Sequence, residues 1–299
     1  MGEALLFFGT AGIPHSAEKR SSAAGITRVR ALGLNAMELQ FVRRVAMGEE
    51  SARDVRKAAR KNGVRLSAHA PYYINLNSKD PEKIRASHER LLKAARIAAL
   101  CGARNVVFHA AFYHDDPPSV VYERIKAQLQ SLVDQLRDEG LDVCLRPETS
   151  GRRAQFGDLD EILRLSAEVD GVSPCIDFGH LHARTVGAYN TYAEFGAVLD
   201  HVRRFLGEDA LQDVHIHVQG MAYTEAGEHE HLDLAASDLR YGELLQALVD
   251  WGVSGTAICE SPNLEEDAIL LKNTYQQLCN GQSESQGTAS SAVLKPPFL

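Results

Sequence analysis

The feature that most constrains this chain is a sevenfold punctuation by glycine. Gly33, Gly63, Gly102, Gly140, Gly171, Gly207 and Gly252 each close a helix-like stretch and precede a short apolar run, at intervals of 30, 39, 38, 31, 36 and 45 residues. Glycine ends a helix at low cost because it enters the left-handed conformation without a Cβ clash. The apolar runs read as strands at 36–41, 65–70, 105–110, 142–147, 174–178, 214–218 and 256–259, with 5–9 opening the chain. Between them the period is helical. Tyr122, Ile125, Leu129, Leu132, Val133 and Leu136 recur at spacings of three and four, as do Leu244, Leu245, Leu248 and Val249.

Eight strands alternating with eight helices build a parallel sheet. Eight such units in about 280 residues suit one α/β domain, a single (β/α)8 TIM barrel with outer helices over 1–279, better than two doubly wound domains. No Gly-x-Gly-x-x-Gly follows the first strand, so a dinucleotide fold has no support. The last helix is expected over 264–278. The Ser/Gln/Gly-rich remainder, 280–299, reads as a flexible tail, with 293–299 apolar enough to dock.

The 299 residues are 44% hydrophobic and 24% charged, which excludes a disordered or collagenous chain. The formal charge of −8 excludes a uniformly basic surface. Five cysteines without a Cys-x-x-Cys, three of them (Cys144, Cys175, Cys259) inside apolar runs, suggest reduced core thiols. No apolar stretch approaches 18 residues and the first residues start no signal peptide, so a cytoplasmic protein is expected.

In such a barrel the chemistry sits where the strands end. Six successive strands end in metal-type residues: His69, His109, Glu148, Asp177 with His180, His217, and Glu260. The loop after the seventh strand adds His229 and His231. A lone strand-end His or Glu is usually a hydrogen-bonded core residue. Several inward carboxylates on one rim would repel unless cations sit between them. Imidazole nitrogen and carboxylate oxygen are the ligands of zinc and similar ions. Nine candidates exceed the needs of one zinc, so two or three ions are expected, with a bridging carboxylate.

The ordered pattern HAPYYINL, FHA, PETSG, IDFGH, HIHVQG, GEHEH and CESP resembles the endonuclease IV family of (β/α)8 apurinic/apyrimidinic endonucleases. The resemblance runs from His69 to Glu260. It implies three zinc ions, with manganese or iron sharing the same ligand types. His69 and His109 would hold the first, with Glu148 bridging to the second. Asp177, His217 and Glu260 would complete the second, and His180, His229 and His231 would hold the third. The family usually has Asp where His229 aligns, so Glu228 or Glu230 is an alternative ligand. With His229, three carboxylates would face three zinc ions, an unusually cationic site. Further departures are Ala-Ala after His109, Leu-His-Ala-Arg after His180, and QFVRRVAMG after the second strand.

The resemblance implies a hydrolase of base excision repair that cuts double-stranded DNA 5′ of an abasic site as a monomer, with no membrane partner. Glu148 or Glu260 would position the nucleophile. Tyr72 matches a tyrosine that inserts near the lesion. Arg43 and Arg44 are expected on phosphates with Phe41 or Met47 as a wedge, and Arg152 and Arg153 as further phosphate contacts. Residues two before a ligand share its face about 6.6 Å deeper. Arg146 would thus orient Glu148, and His215 would orient Asp177 or Glu260. The alternative is a pair inside the barrel, such as Arg146 with Glu38. The competing function is a metal-dependent sugar isomerase or epimerase on a related barrel, for which a third ion is not needed.

Overall fold

The computed structural model describes residues 6–290. Its central sheet has eight strands: β1 (Leu6–Ala11), β2 (Ala36–Gln40), β3 (Arg65–His69), β4 (Asn105–Phe108), β5 (Cys144–Pro147), β6 (Cys175–Asp177), β7 (Val214–Val218) and β8 (Gly255–Cys259). They are hydrogen-bonded in the order β5-β4-β3-β2-β1-β8-β7-β6, every neighbour parallel. Parallel bridges Leu145–Val172 and Glu148–Cys175 join the two ends, so the sheet nearly closes into the expected (β/α)8 barrel. All eight expected strands are present.

The outer helices are α1 (Ser22–Ala31), α2 (Glu49–Asn62), α3 (Pro81–Cys101), α4 (Pro118–Asp138), α5 (Leu159–Glu168), α6 (Phe178–Arg184), α7 (Tyr192–Leu206), α8 (Tyr241–Asp250) and α9 (Glu265–Ser290). The seven punctuating glycines all have positive φ. At the ends of α2 and α3, Gly63 (φ 63°) and Gly102 (φ 83°) are left-handed caps whose N–H groups satisfy the last carbonyls of each helix. Helix α4 buries Tyr122, Ile125, Leu129, Leu132, Val133 and Leu136, the stripe expected from their spacing.

Two helices differ from the sequence reading. Helix α6 is additional: Asp177, the last residue of β6, caps it by accepting the His180 N–H. Helix α9 continues past Leu278 to Ser290, a stretch with no proline to stop it. Residues 293–299, expected to be able to dock, lie outside the described residues. Cys175 and Cys259 are buried free thiols, whereas Cys144 is half-buried. Among the described residues no helix is long and apolar enough to cross a membrane.

Candidate metal centre

The strand ends place Glu148, 1% exposed, at the centre of four imidazoles. Its Oε2 lies 3.2 Å from His69 Nε2 and 3.4 Å from His109 Nε2. Its Oε1 lies 3.1 Å from His217 Nδ1 and 3.2 Å from His180 Nδ1. Asp177 and Glu260 complete the ring, their oxygens 3.9 and 3.5 Å from His217 Nδ1. Three groupings result, each with ligand atoms close enough to share an ion: His69–His109–Glu148, Glu148–Asp177–His217–Glu260, and His180–Glu228–His231. A fourth, Cys175–His215–His217, lies beneath the second and shares His217 with it.

The donor set fits divalent cations. Three imidazoles have Nδ1 turned to a backbone carbonyl: His69 to Ala70 (2.9 Å), His180 to Thr149 (3.0 Å) and His231 to Glu260 (3.3 Å). Such bonds place the proton on Nδ1 and leave the Nε2 lone pair for the cluster, the usual arrangement behind a metal-bound histidine. His109 keeps a buried Nδ1 with no hydrogen-bond partner. Among protein groups alone the charges conflict. Burial, opposed by His180 and aided by Glu148, pushes the Asp177 carboxyl up to about 6. Burial would lower His69, but the bond to Glu148 and its charge raise it to about 9. A cation relieves the repulsion among the carboxylates.

The third grouping corrects the ligand expected from the sequence. Glu228 stands with His180 and His231, its Oε2 3.7 Å from His180 Nε2, whereas His229 and Glu230 are exposed. The cause is a β-bulge. In the hairpin Gly220–Thr224/Gly227–Leu232, Ala222 faces Glu230 and Tyr223 faces Glu228, so His229 is the extra residue. The bulge breaks strict alternation and turns residues 228 and 231, three apart, toward the same cleft. Four carboxylates therefore face the centre (Glu148, Asp177, Glu228 and Glu260), so the unusually cationic site expected with His229 does not arise.

Glycine makes room for this ligand. A Cβ on Gly151 would lie 2.7 Å from Glu228 Cβ and 3.0 Å from His180 Cδ2. Gly151→Ala is therefore expected to displace the hairpin and weaken the third position. Metal analysis should show about one ion fewer per chain, with turnover roughly 100-fold lower, as displacements near 1 Å can produce. An unchanged metal content would refute this packing argument.

The two supporting residues expected beneath the ligands also need correction. Arg146 does not reach Glu148 or Glu38. Its guanidinium extends toward the opposite end of the barrel and donates to the Pro174 carbonyl (3.0 Å) and to Asp213 Oδ2 (3.0 Å). A long side chain set one layer down finds its anion there. His215 touches neither Asp177 nor Glu260; its Nε2 bonds Glu38 Oε2 at 2.9 Å. Gln219, fully buried, is the residue that sequence reasoning missed; Glu38, also fully buried, was expected only as a partner of Arg146. Gln219 Nε2 donates to Asp177 Oδ2 at 2.8 Å. A signal existed for Glu38, an acid flanked by the apolar Met37 and Leu39 in β2.

Above the centre lies a cleft of about 360 Å³ lined by Tyr72, His109, Phe112, Arg152, Glu228 and Glu260, among others. Tyr72, 56% exposed, lines this cleft, and its ring centroid is 5.7 Å from that of His69. Arg43 and Arg44 are exposed on the loop after β2. Phe41 is no wedge: its N–H extends the pairing of β2 by bonding the His69 carbonyl, and its ring is buried in the core. Met47 packs against the same core. Arg152 faces Glu228 at 3.9 Å, while Arg153 donates to the Arg184 carbonyl.

A family model described as xylose isomerase-like TIM barrel matches residues 26–276. An uncharacterized protein of Methanocaldococcus jannaschii is 45% identical over 276 residues, 92% of this chain and 99% of that one. A probable endonuclease 4 of Bacillus thuringiensis is 26% identical over 253 residues, 79% of this chain and 80% of its own. Endonuclease IV from Thermus thermophilus superposes with a TM-score of 0.71 at 20% identity, covering 92% of this chain and 99% of that one. A D-tagatose 3-epimerase-like protein does so at 0.67 and 18%, with the same coverage. These two likenesses show a shared fold. By the breadth of the family match and the 45% relative, the chain belongs to the xylose isomerase-like TIM barrel family.

Proposed function

We propose that the protein is a metal-dependent phosphodiester hydrolase that cuts double-stranded DNA on the 5′ side of abasic sites. The observation that carries this reading is the third grouping, His180–Glu228–His231, beside two others that share Glu148. Three positions exceed what a sugar isomerase needs and suit a phosphodiester, whose attacking and leaving oxygens both develop charge. His69, His109 and Glu148 would hold one ion, Glu148, Asp177, His217 and Glu260 a second, and His180, Glu228 and His231 a third. Zinc suits these ligands best, and manganese and iron share them. When bound, such ions supply Lewis acidity and a nucleophile at neutral pH.

The chain's own groups then position the reactants. Glu260, at the rim and 13% exposed, faces the cleft and accepts from the attacking water, while buried Glu148 holds the histidines in place. Attack at phosphorus breaks the bond to the 3′ oxygen, which leaves as a hydroxyl and leaves a 5′-deoxyribose phosphate. Tyr72 offers a stacking face at the lesion, and Arg43, Arg44 and Arg152 reach toward phosphates.

The test joins bound-metal analysis to a nicking assay on a duplex with one abasic analogue. About three ions and a single nick 5′ of the analogue are expected. About one ion with turnover of a ketose sugar, and no nick, would establish the epimerase reading instead. Tyr72→Ala is expected to weaken binding of the abasic duplex by about 1–3 kcal/mol while the metals stay bound. Unchanged affinity in a fluorescence titration would remove Tyr72 from the interface.

A further inference from the structure

Two imidazoles of the centre have an outer nitrogen that is not turned to a backbone carbonyl: His109, whose buried Nδ1 has no partner, and His217. His69, His180 and His231 each use the carbonyl of a strand or loop for this purpose. His217 lies deeper and is fully buried; its Nε2 has no hydrogen-bond partner but stands 3.2 Å from Glu38 Oε1. Its other nitrogen, Nδ1, faces Glu148 Oε1 at 3.1 Å and Glu260 Oε1 at 3.5 Å. Glu38 is itself held from three strands. Its Oε2 accepts from Ser67 Oγ and from His215 Nε2, each at 2.9 Å, and its Oε1 accepts from Gln40 Nε2 at 3.2 Å. A wholly buried carboxylate is costly unless its partners are fixed. A carboxylate behind a ligating histidine sets ring orientation and tautomer, and makes the imidazole a better donor.

We propose that Glu38 is the positioning residue of the cation position formed by Glu148, Asp177, His217 and Glu260. Once an ion takes the Nδ1 lone pair, the His217 proton lies on Nε2, where the Glu38 carboxylate 3.2 Å away is placed to accept it. His215 and Ser67 occupy the other oxygen and prevent the carboxylate from rotating away. This rests on the reading of that grouping as a cation site.

The test uses Glu38→Gln, which keeps the volume. An amide has one acceptor oxygen and an N–H2 group, so either His215 or His217 must face a donor. Where that imidazole is His217, its proton moves to Nδ1 and the ligand is lost. Zinc competition against a chromophoric chelator, on the full chain, is expected to show one ion held about 10–100-fold more weakly. The other ions should keep their affinity. In the cobalt-loaded protein the visible absorption should change in position or intensity, which a merely structural role would not produce. Ser67→Ala, milder and safer for folding, should weaken the same ion about fivefold. Wild-type affinity and cobalt spectrum in both variants would overturn the role of Glu38 alone. Failure of the wild-type chain to take an ion at this position would overturn the site and the role together.

Discussion

Glu260→Gln should abolish nicking of abasic DNA while the barrel stays folded. The side chain sits at the mouth, 13% exposed, with its Oε1 3.5 Å from His217 Nδ1 and its backbone carbonyl bonded to His231. It is thus one of the few ligand-type groups that both faces the cleft and adjoins two of the groupings. Glutamine preserves shape and the backbone bond to His231, but it carries no charge and cannot take a proton. Loss of a group that acts on the reacting atoms costs on the order of 10³-fold or more in turnover. Single-turnover cleavage of a labelled duplex measures this, with circular dichroism to verify the fold. Nicking within tenfold of the parent rate would remove Glu260 from the chemistry.

Glu148→Ala should act on metal content and stability together. The carboxylate lies within 3.4 Å of four imidazoles and belongs to two of the three groupings. Burial alone would raise its pKa, yet the charges of His109 and His217 hold it well below the carboxylate range. Removing the carboxylate leaves three buried rings and the partly exposed His109 facing one another across a void. Deleting one member of a buried charged cluster typically costs about 3–5 kcal/mol. The metal-free variant is therefore expected to be less stable than the metal-free parent by that amount in urea. It should also retain at most one ion per chain after zinc loading, with nicking at background. Parent stability together with full metal loading would show that Glu148 does not join the groupings.

Much of the architecture was legible in the residues. The glycine interval, the short apolar runs and the helical stripes are near-neighbour patterns, and strand or helix formation responds mainly to near neighbours. The residue types at the strand ends were legible for the same reason. Alternation along each strand turns His69, Glu148 and His217 inward without reference to distant chain, and the parallel order then gathers them at one rim.

What the tertiary structure decided was the choice among partners. Glu228 enters the centre instead of His229 because a bulge in one hairpin shifts the register by one residue. Glu38 meets His215 across 177 residues of sequence, and Arg146 finds Asp213 across 67. Phe41 turns into the core because its backbone continues the pairing with β3. Each outcome depends on the relative register of elements far apart in the chain. A one-residue shift reverses a side chain's face, and no local pattern carries that information. The sequence by itself determined a barrel with ligand-type residues at its rim; packing determined which of them share an ion and which carboxylate stands behind them.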